Sequence, residues 1–269
     1  MAGTAARPLS VIARSCIAAA VIGTLALIPA AAVTSVGATV ARATSVASSF
    51  APDATQTPVA SVVTTIGFSV RLRPIVVERF GTGSRHVLVV GGIHGNEAGG
   101  PVARAFSAYL RTHPSAIPTG TQLDVVADAN PDGRAANRRT NAHHVDLNRN
   151  FPSANWTRTP VGASSSHGSS PGSEPETQVM ARLLAERGYA RVISLHSSGG
   201  IIDYRGPGGR ALAKRIAKAV RIKVHRLASY AGSMGSYVPE KYHVPIITWE
   251  LSSRVLTRRV RAGLLVALR

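Results

Sequence analysis

The chain has 269 residues, one cysteine and a formal net charge of +18 at pH 7. A single cysteine excludes an internal disulfide, and Cys16 lies in a segment that reads as removable, so the mature chain is expected to hold no thiol nucleophile or thiolate metal site. Aromatic residues are 5% of the chain and no basic run is interleaved with them, which argues against a nucleic-acid function.

Arg7 and Arg14 precede an uncharged apolar run, "CIAAAVIGTLALIPAAAV", from 16 to 33, and Ala-x-Ala patterns follow at 30–32 and 41–43. That layout is a secretory signal peptide over residues 1–43, with cleavage between 32 and 43. The alternative is a retained membrane anchor. The run barely reaches the length of a bilayer span and Pro29 interrupts it, so no stable span is expected after processing. Cys16 opens the run, whereas a lipid-attachment cysteine would follow one. Residues 44–60 are small, polar and proline-bearing and read as a flexible linker. Residues 61–269 are long enough for one domain with its own core. Without Arg7, Arg14 and Arg42, the 31 basic residues become 28, against 13 acidic ones. Such a surface is drawn to polyanions. For an exported protein at the cell wall, or in a periplasm-like compartment, the expected partner is the anionic envelope. A genome that favours Arg would explain part of the same excess.

Within the domain, "TTIGFSVRLRPIVVERFG" alternates like two strands with the turn at Arg71–Pro74. "HVLVVGG" reads as a buried strand, and "EAGGPVARAFSAYLRTH" carries apolar residues at helical spacing. "TQLDVVADANPDG" is a strand entering an Asn-Pro-Asp-Gly turn, and residues 134–173 show no periodicity and read as long loops. "SEPETQVMARLLAERG" is a helix with Ser173 as N-cap, Glu176 three residues on, and Gly188 at its end. A strand "YARVISLHSSGG", a basic helix "GRALAKRIAKAV", a buried strand "VPIITWELSS" and an amphipathic helix "SRVLTRRVRAGLLVALR" complete the chain. Strands alternating with helices imply a three-layer α/β/α sandwich around a mixed, largely parallel twisted sheet. Ligands bind beyond the C-terminal strand ends of such sheets. His94 and Glu97 follow one strand end, His196 ends a second and Glu250 ends a third.

Alone, each of these residues has an ordinary explanation: a polar loop, a hydrogen-bonded histidine, a carboxylate paired with one of many arginines. Together, two His and one carboxylate make a zinc site with an open position for water. Such a site needs a further carboxylate to move the water's proton, and Glu250 fits that need. A carboxylate inside an apolar strand is costly unless it is paired or used.

The order "HGNE", "NPDG", "VDLNRNFP", "SLHSS" and a strand-borne Glu resembles the zinc carboxypeptidase family of the carboxypeptidase A type, over about residues 62 to 269. The resemblance implies that His94, Glu97 and His196 ligate one zinc ion and that Glu250 is the general base and acid. It implies that Asp146 holds the non-ligating nitrogen of His94. Asn148 and Arg149 would grip a substrate carboxylate, and either Arg138 or Arg139 would stabilise the oxyanion. A tyrosine that closes over substrate would be Tyr230, with Tyr237 the other candidate.

Asn96 stands where the digestive members carry Arg. With "RTNAHHVDLNRNFPSANW", it makes the chain most similar to the murein peptide amidases. That branch implies hydrolysis of the γ-D-glutamyl–diaminopimelate amide in peptidoglycan stem peptides, here outside the cell. A broader carboxypeptidase, and a deacylase of the aspartoacylase or succinylglutamate desuccinylase kind, are the alternatives; a non-catalytic wall-binding protein of the same fold is another. His143 and His144 occupy positions that are often Asn-Gly in that branch, and no second metal is expected there.

Overall fold

A computed structural model describes residues 61–159 and 165–269. The signal peptide (1–43) and linker (44–60) expectations lie outside the described residues. The strands are β1 (Val62–Phe68), β2 (Pro74–Phe80), β3 (Arg85–Val90), β4 (Thr121–Val126), β5 (Arg191–Ser197), β6 (Ile201–Arg205), β7 (Lys223–Val224) and β8 (Ile246–Leu251). The α-helices are α1 (Gly99–Thr112), α2 (Pro131–Ala135), α3 (Pro175–Arg187), α4 (Gly209–Val220), α5 (Met234–Tyr242) and α6 (Arg258–Ala267). The strands form one sheet in the order β1-β2-β4-β3-β5-β8-β6-β7. Its centre, β4-β3-β5-β8, is parallel, while β1, β2 and β6 run antiparallel to their inner neighbours. The chain leaves β3 toward β4 on one side and later returns to pair β5 on the other. That reversal opens a crevice at the C-terminal ends of β3 and β5, where open α/β sheets bind ligands.

Strand alternation divides the core. Val87, Val89, Ile193, Leu195, Ile202, Ile247, Trp249 and Leu251 pack with α1, α4 and α6 on one face. Leu88, Val90, Val192 and Ile246 pack with α3, α5, Leu147 and Phe151 on the other. These are the three layers the sequence implies. Among the described residues, no helix is long and apolar enough to cross a membrane.

Local structure departs from the sequence reading in several places. Asn-Pro-Asp-Gly is a helical turn rather than a bare turn. Asn130 accepts a hydrogen bond from the Gly133 amide at 2.8 Å, and Pro131 takes the first helical position. Ser173 does not cap α3. Pro175 occupies the first turn and forces its predecessor into extended backbone, so Glu174 is the N-cap residue. Ser173 Oγ donates to Glu174 Oε1, and Glu176 leaves the capping role to accept from the Val70 amide. Gly188 does end α3, in the left-handed region at φ 57°. The short strands β6 and β7, and α5 with Pro239 inside it, were not expected.

Candidate active site

His94 and Glu97 leave the sheet through the turn after β3. Gly92 has φ 67°, a conformation costly for any side chain, and lets the chain bend at the strand end. Gly95 lies against the backbone of Gly133 and Arg134, where a Cβ would collide. The turn therefore docks on α2 only with glycine at that position. His196 is the sixth residue of β5 and pairs in register with Glu250 of β8. Both point away from the Ile193–Trp249 side of the core, because alternate residues of a strand share a face.

The potential ligand atoms of His94, Glu97 and His196 lie within 4.8 Å of one another. His94 Nδ1 is 2.8 Å from Glu97 Oε1 and 3.2 Å from His196 Nδ1, which is 3.1 Å from Glu97 Oε2. The outer ring nitrogens have other partners. His94 Nε2 is 2.9 Å from Asp146 Oδ1, and His196 Nε2 is 3.0 Å from Ser194 Oγ. With protons on both Nε2 atoms, two Nδ1 lone pairs and a carboxylate converge on one point, which is the donor set of a zinc centre. The residues present thus fit the metal. The Ser197 amide donates to Glu97 Oε2 at 3.1 Å and fixes that carboxylate further.

Electrostatics agree with this arrangement. Burial opposes the charged forms of Glu97 and Asp146, yet hydrogen bonds from the histidines hold both carboxyls well below the usual range. Burial pushes the His94 imidazolium down, but Asp146 and Glu97 outweigh it and raise the proton affinity. Proton and cation compete for this cluster, so acid weakens metal binding. Burial also pushes the Glu250 carboxyl up; His196 offsets part of this and Glu97 adds to it. Glu250 makes no salt bridge among the described residues, so pairing with an arginine does not explain its place in the strand.

A cleft of about 300 Å³ opens over the cluster and is lined by Arg139, Asn148, Arg149, Tyr230 and Glu250 among others. Arg139 donates to Glu97 Oε1 and Asp146 Oδ2, each at 2.9 Å. Arg138 is not brought to the cleft; its guanidinium lies at the surface against the His144 ring. Asp146, Asn148 and Arg149 share one tight 3-10 turn, Leu147–Arg149, for which Asp146 caps the Asn148 amide at 2.9 Å. Asn148 Oδ1 accepts from the Met234 amide at 2.9 Å. Arg149 has no salt bridge among the described residues, and its guanidinium stacks 4.4 Å from the Tyr230 ring. Tyr237 is buried beneath, packed on Phe151 and hydrogen-bonded to Tyr242, and does not reach the cleft. Asn96 is exposed, and its carbonyl accepts from Arg254. His143 contacts Glu174, and His144 adopts φ 63°, the backbone for which glycine is suited. Neither belongs to the metal cluster. Ile201, Asp203, Arg205 and Thr248 also line the cleft. The alternation in "IIDYR" was the available signal for the first three.

The sequence matches the family model "Zinc carboxypeptidase" over residues 51–251. Murein peptide amidase A of Escherichia coli K12 is 34% identical over 163 residues, 56% of this chain and 64% of that protein. The chain therefore aligns with just under two thirds of that relative. The Vibrio campbellii protein of the same name is 31% identical over 177 residues, 61% of this chain and 68% of its own length. The crystal structure of murein-tripeptide amidase MpaA from Escherichia coli O157 superposes with TM-score 0.63 at 28% identity, covering 76% of this chain and 91% of that one. Carboxypeptidase A from Helicoverpa armigera shares the fold, with TM-score 0.62 at 22% identity over 78% of this chain and 66% of its own. The chain belongs to the zinc carboxypeptidase family, whose members are zinc-dependent hydrolases.

Proposed function

We propose that the protein is an exported zinc metallopeptidase that hydrolyses an amide beside a free carboxylate in peptidoglycan stem peptides. The bond we assign is γ-D-glutamyl–diaminopimelate. The observation that carries this reading is the Leu147–Arg149 turn. Through Asp146 it orients a metal ligand, and through Asn148 and Arg149 it lines the cleft with groups suited to a carboxylate. The murein peptide amidases among the relatives support the substrate class. The N-terminal sequence pattern supports export.

When bound, zinc would supply a water acidified to a pKa of about 7 and a Lewis acid for the scissile carbonyl. His94, Glu97 and His196 would hold it. Arg149 and Asn148 orient the substrate by its free carboxylate, a planar bidentate task suited to guanidinium. Glu250 takes the attacking water's proton and hands it to the departing amine. Arg139, half-buried and lining the cleft, places positive charge beside the position where the oxyanion develops.

The test is digestion of purified wall peptides with the zinc-loaded protein, with and without chelator, followed by mass spectrometry of the products. Release of a diaminopimelate-containing fragment, abolished by chelator, is expected. Release of C-terminal residues from ordinary peptides, with intact wall peptides, would replace this reading with a broader carboxypeptidase. Sequencing the N-terminus of the mature protein from the extracellular or wall fraction tests export; an uncleaved start at Met1 would count against it.

A further inference from the structure

The cleft has a second charged wall that the proposed chemistry does not use. β6 presents Ile201, Asp203 and Arg205 on one face, and all three line the cleft. Strand register fixes their depth. Ile201 lies opposite Glu250, Asp203 opposite Thr248, and Thr248 is beside Ser194 of β5. Asp203 is therefore two residues below the His196–Glu250 row, about 7 Å along the strand. Gly235 and Thr248 line the same cleft, and neither carries a bulky side chain.

Asp203 is 4% exposed. Its Oδ1 accepts from the Leu227 amide at 3.0 Å, and its Oδ2 is 3.7 Å from Arg205 Nε, too long for a hydrogen bond. Arg205 is aimed by donating from Nη2 to the carbonyls of Leu227 and Ala228. Burial raises the Asp203 carboxyl above its ordinary range, and the Leu227 amide and Arg205 offset this only in part. Asp203 is buried and Arg205 largely so, yet both face the cleft and their charges are not in full contact, an arrangement that a ligand of opposite charges would complete.

We propose that Asp203 and Arg205 bind the amino-acid zwitterion at the far end of the leaving group, the ammonium on Asp203 and the carboxylate on Arg205. This deepens the wall-peptide reading and rests on it. Diaminopimelate carries such a zwitterion at the tip of its side chain. Its other end supplies the scissile nitrogen and the carboxylate that faces Arg149.

The test is calorimetric binding of free meso-diaminopimelate, lysine and norleucine to the zinc-loaded wild type, Asp203→Asn and Arg205→Gln. In wild type, diaminopimelate binds tightest and norleucine weakest. Asp203→Asn weakens diaminopimelate and lysine by about tenfold or more and leaves norleucine unchanged. Arg205→Gln weakens diaminopimelate alone. Norleucine binding to wild type as tightly as diaminopimelate would overturn the proposal without any variant. A uniform loss on all three ligands in Asp203→Asn would show a merely structural role and overturn it too. Rates on γ-D-glutamyl and on benzoylglycyl conjugates of the same three leaving groups separate the two claims. Preference for diaminopimelate in the benzoylglycyl series, with no γ-D-glutamyl cleavage, removes the wall-bond assignment and keeps the site. Equal rates across leaving groups in both series remove the site.

Discussion

The two faces of β5 and β8 do opposite work with the same backbone. Ile193, Leu195, Ile247 and Trp249 are buried against α1, α4 and α6. Ser194, His196, Thr248 and Glu250 alternate with them and face the cleft or the histidine cluster. One residue of spacing separates the groups that hold the sheet together from the groups that face the candidate site. Because strand period is two, a substitution on one face reaches the other only through the backbone. Stability and turnover are then separable by design.

The largest effects test that separation on the cleft side. His196→Ala removes a ligand, so zinc content by atomic absorption falls to background and activity goes with it. Its strand partner behaves differently. Glu250→Gln keeps zinc and the thermal midpoint but lowers kcat by about 10²–10⁴, the share of a general base and acid. Near-normal turnover in Glu250→Gln would remove that residue from the mechanism.

The opposite face should show the converse. Trp249 is 2% exposed and packs against Gly263 of α6. Trp249→Ala is expected to cost about 3–5 kcal/mol in denaturant unfolding while kcat of the remaining folded fraction holds. A loss of kcat without a loss of stability would show that the two faces are coupled.

A smaller effect belongs to the cleft rim. Arg149→Ala should weaken substrates with a free carboxylate by about 10–100-fold in kcat/KM, the value of a hydrogen bond to a charged group. The matching carboxamides should change little. Equal losses on both would deny Arg149 its carboxylate.

The smallest lies far from the cleft. Burial pushes the Glu78 carboxyl up, but two 2.7 Å bonds from Arg111 and one from Ser61 bring it below its ordinary value. A carboxyl with a lowered folded pKa contributes stability above its unfolded pKa, and that contribution is lost as pH falls through the folded value. Arg111 is half exposed, so the contribution is under about 1 kcal/mol. Unfolding of Glu78→Gln and wild type, compared at pH 7 and in acid below the unfolded glutamate pKa, should show a gap that narrows as pH falls.

What the sequence revealed follows from how local each signal is. The strands that lead to His94, His196 and Glu250 are apolar runs with punctuation, so the parallel centre and its ligand edge could be read directly. The choice between Arg138 and Arg139 could not. Both precede the Asp146 turn, and only the tertiary path brings Arg139 onto Glu97 and Asp146. β6 escaped because it has five residues between glycine-rich bends, and Asp203 and Arg205 escaped with it. Pro239 disguised α5. Ser173 misled because cap preference is weaker than the constraint Pro175 places on Glu174.

The Leu147–Arg149 turn also limits how this scaffold can diversify. Asp146 holds His94 of the candidate metal cluster, and three residues later Arg149 faces the cleft. An insertion or a one-residue slip between them would disconnect both functions in a single step. That stretch is therefore closed to gradual adaptation. On the proposed reading, leaving-group preference is freer to change on the walls that carry no such double duty, the β6 edge and the loop bearing Tyr230.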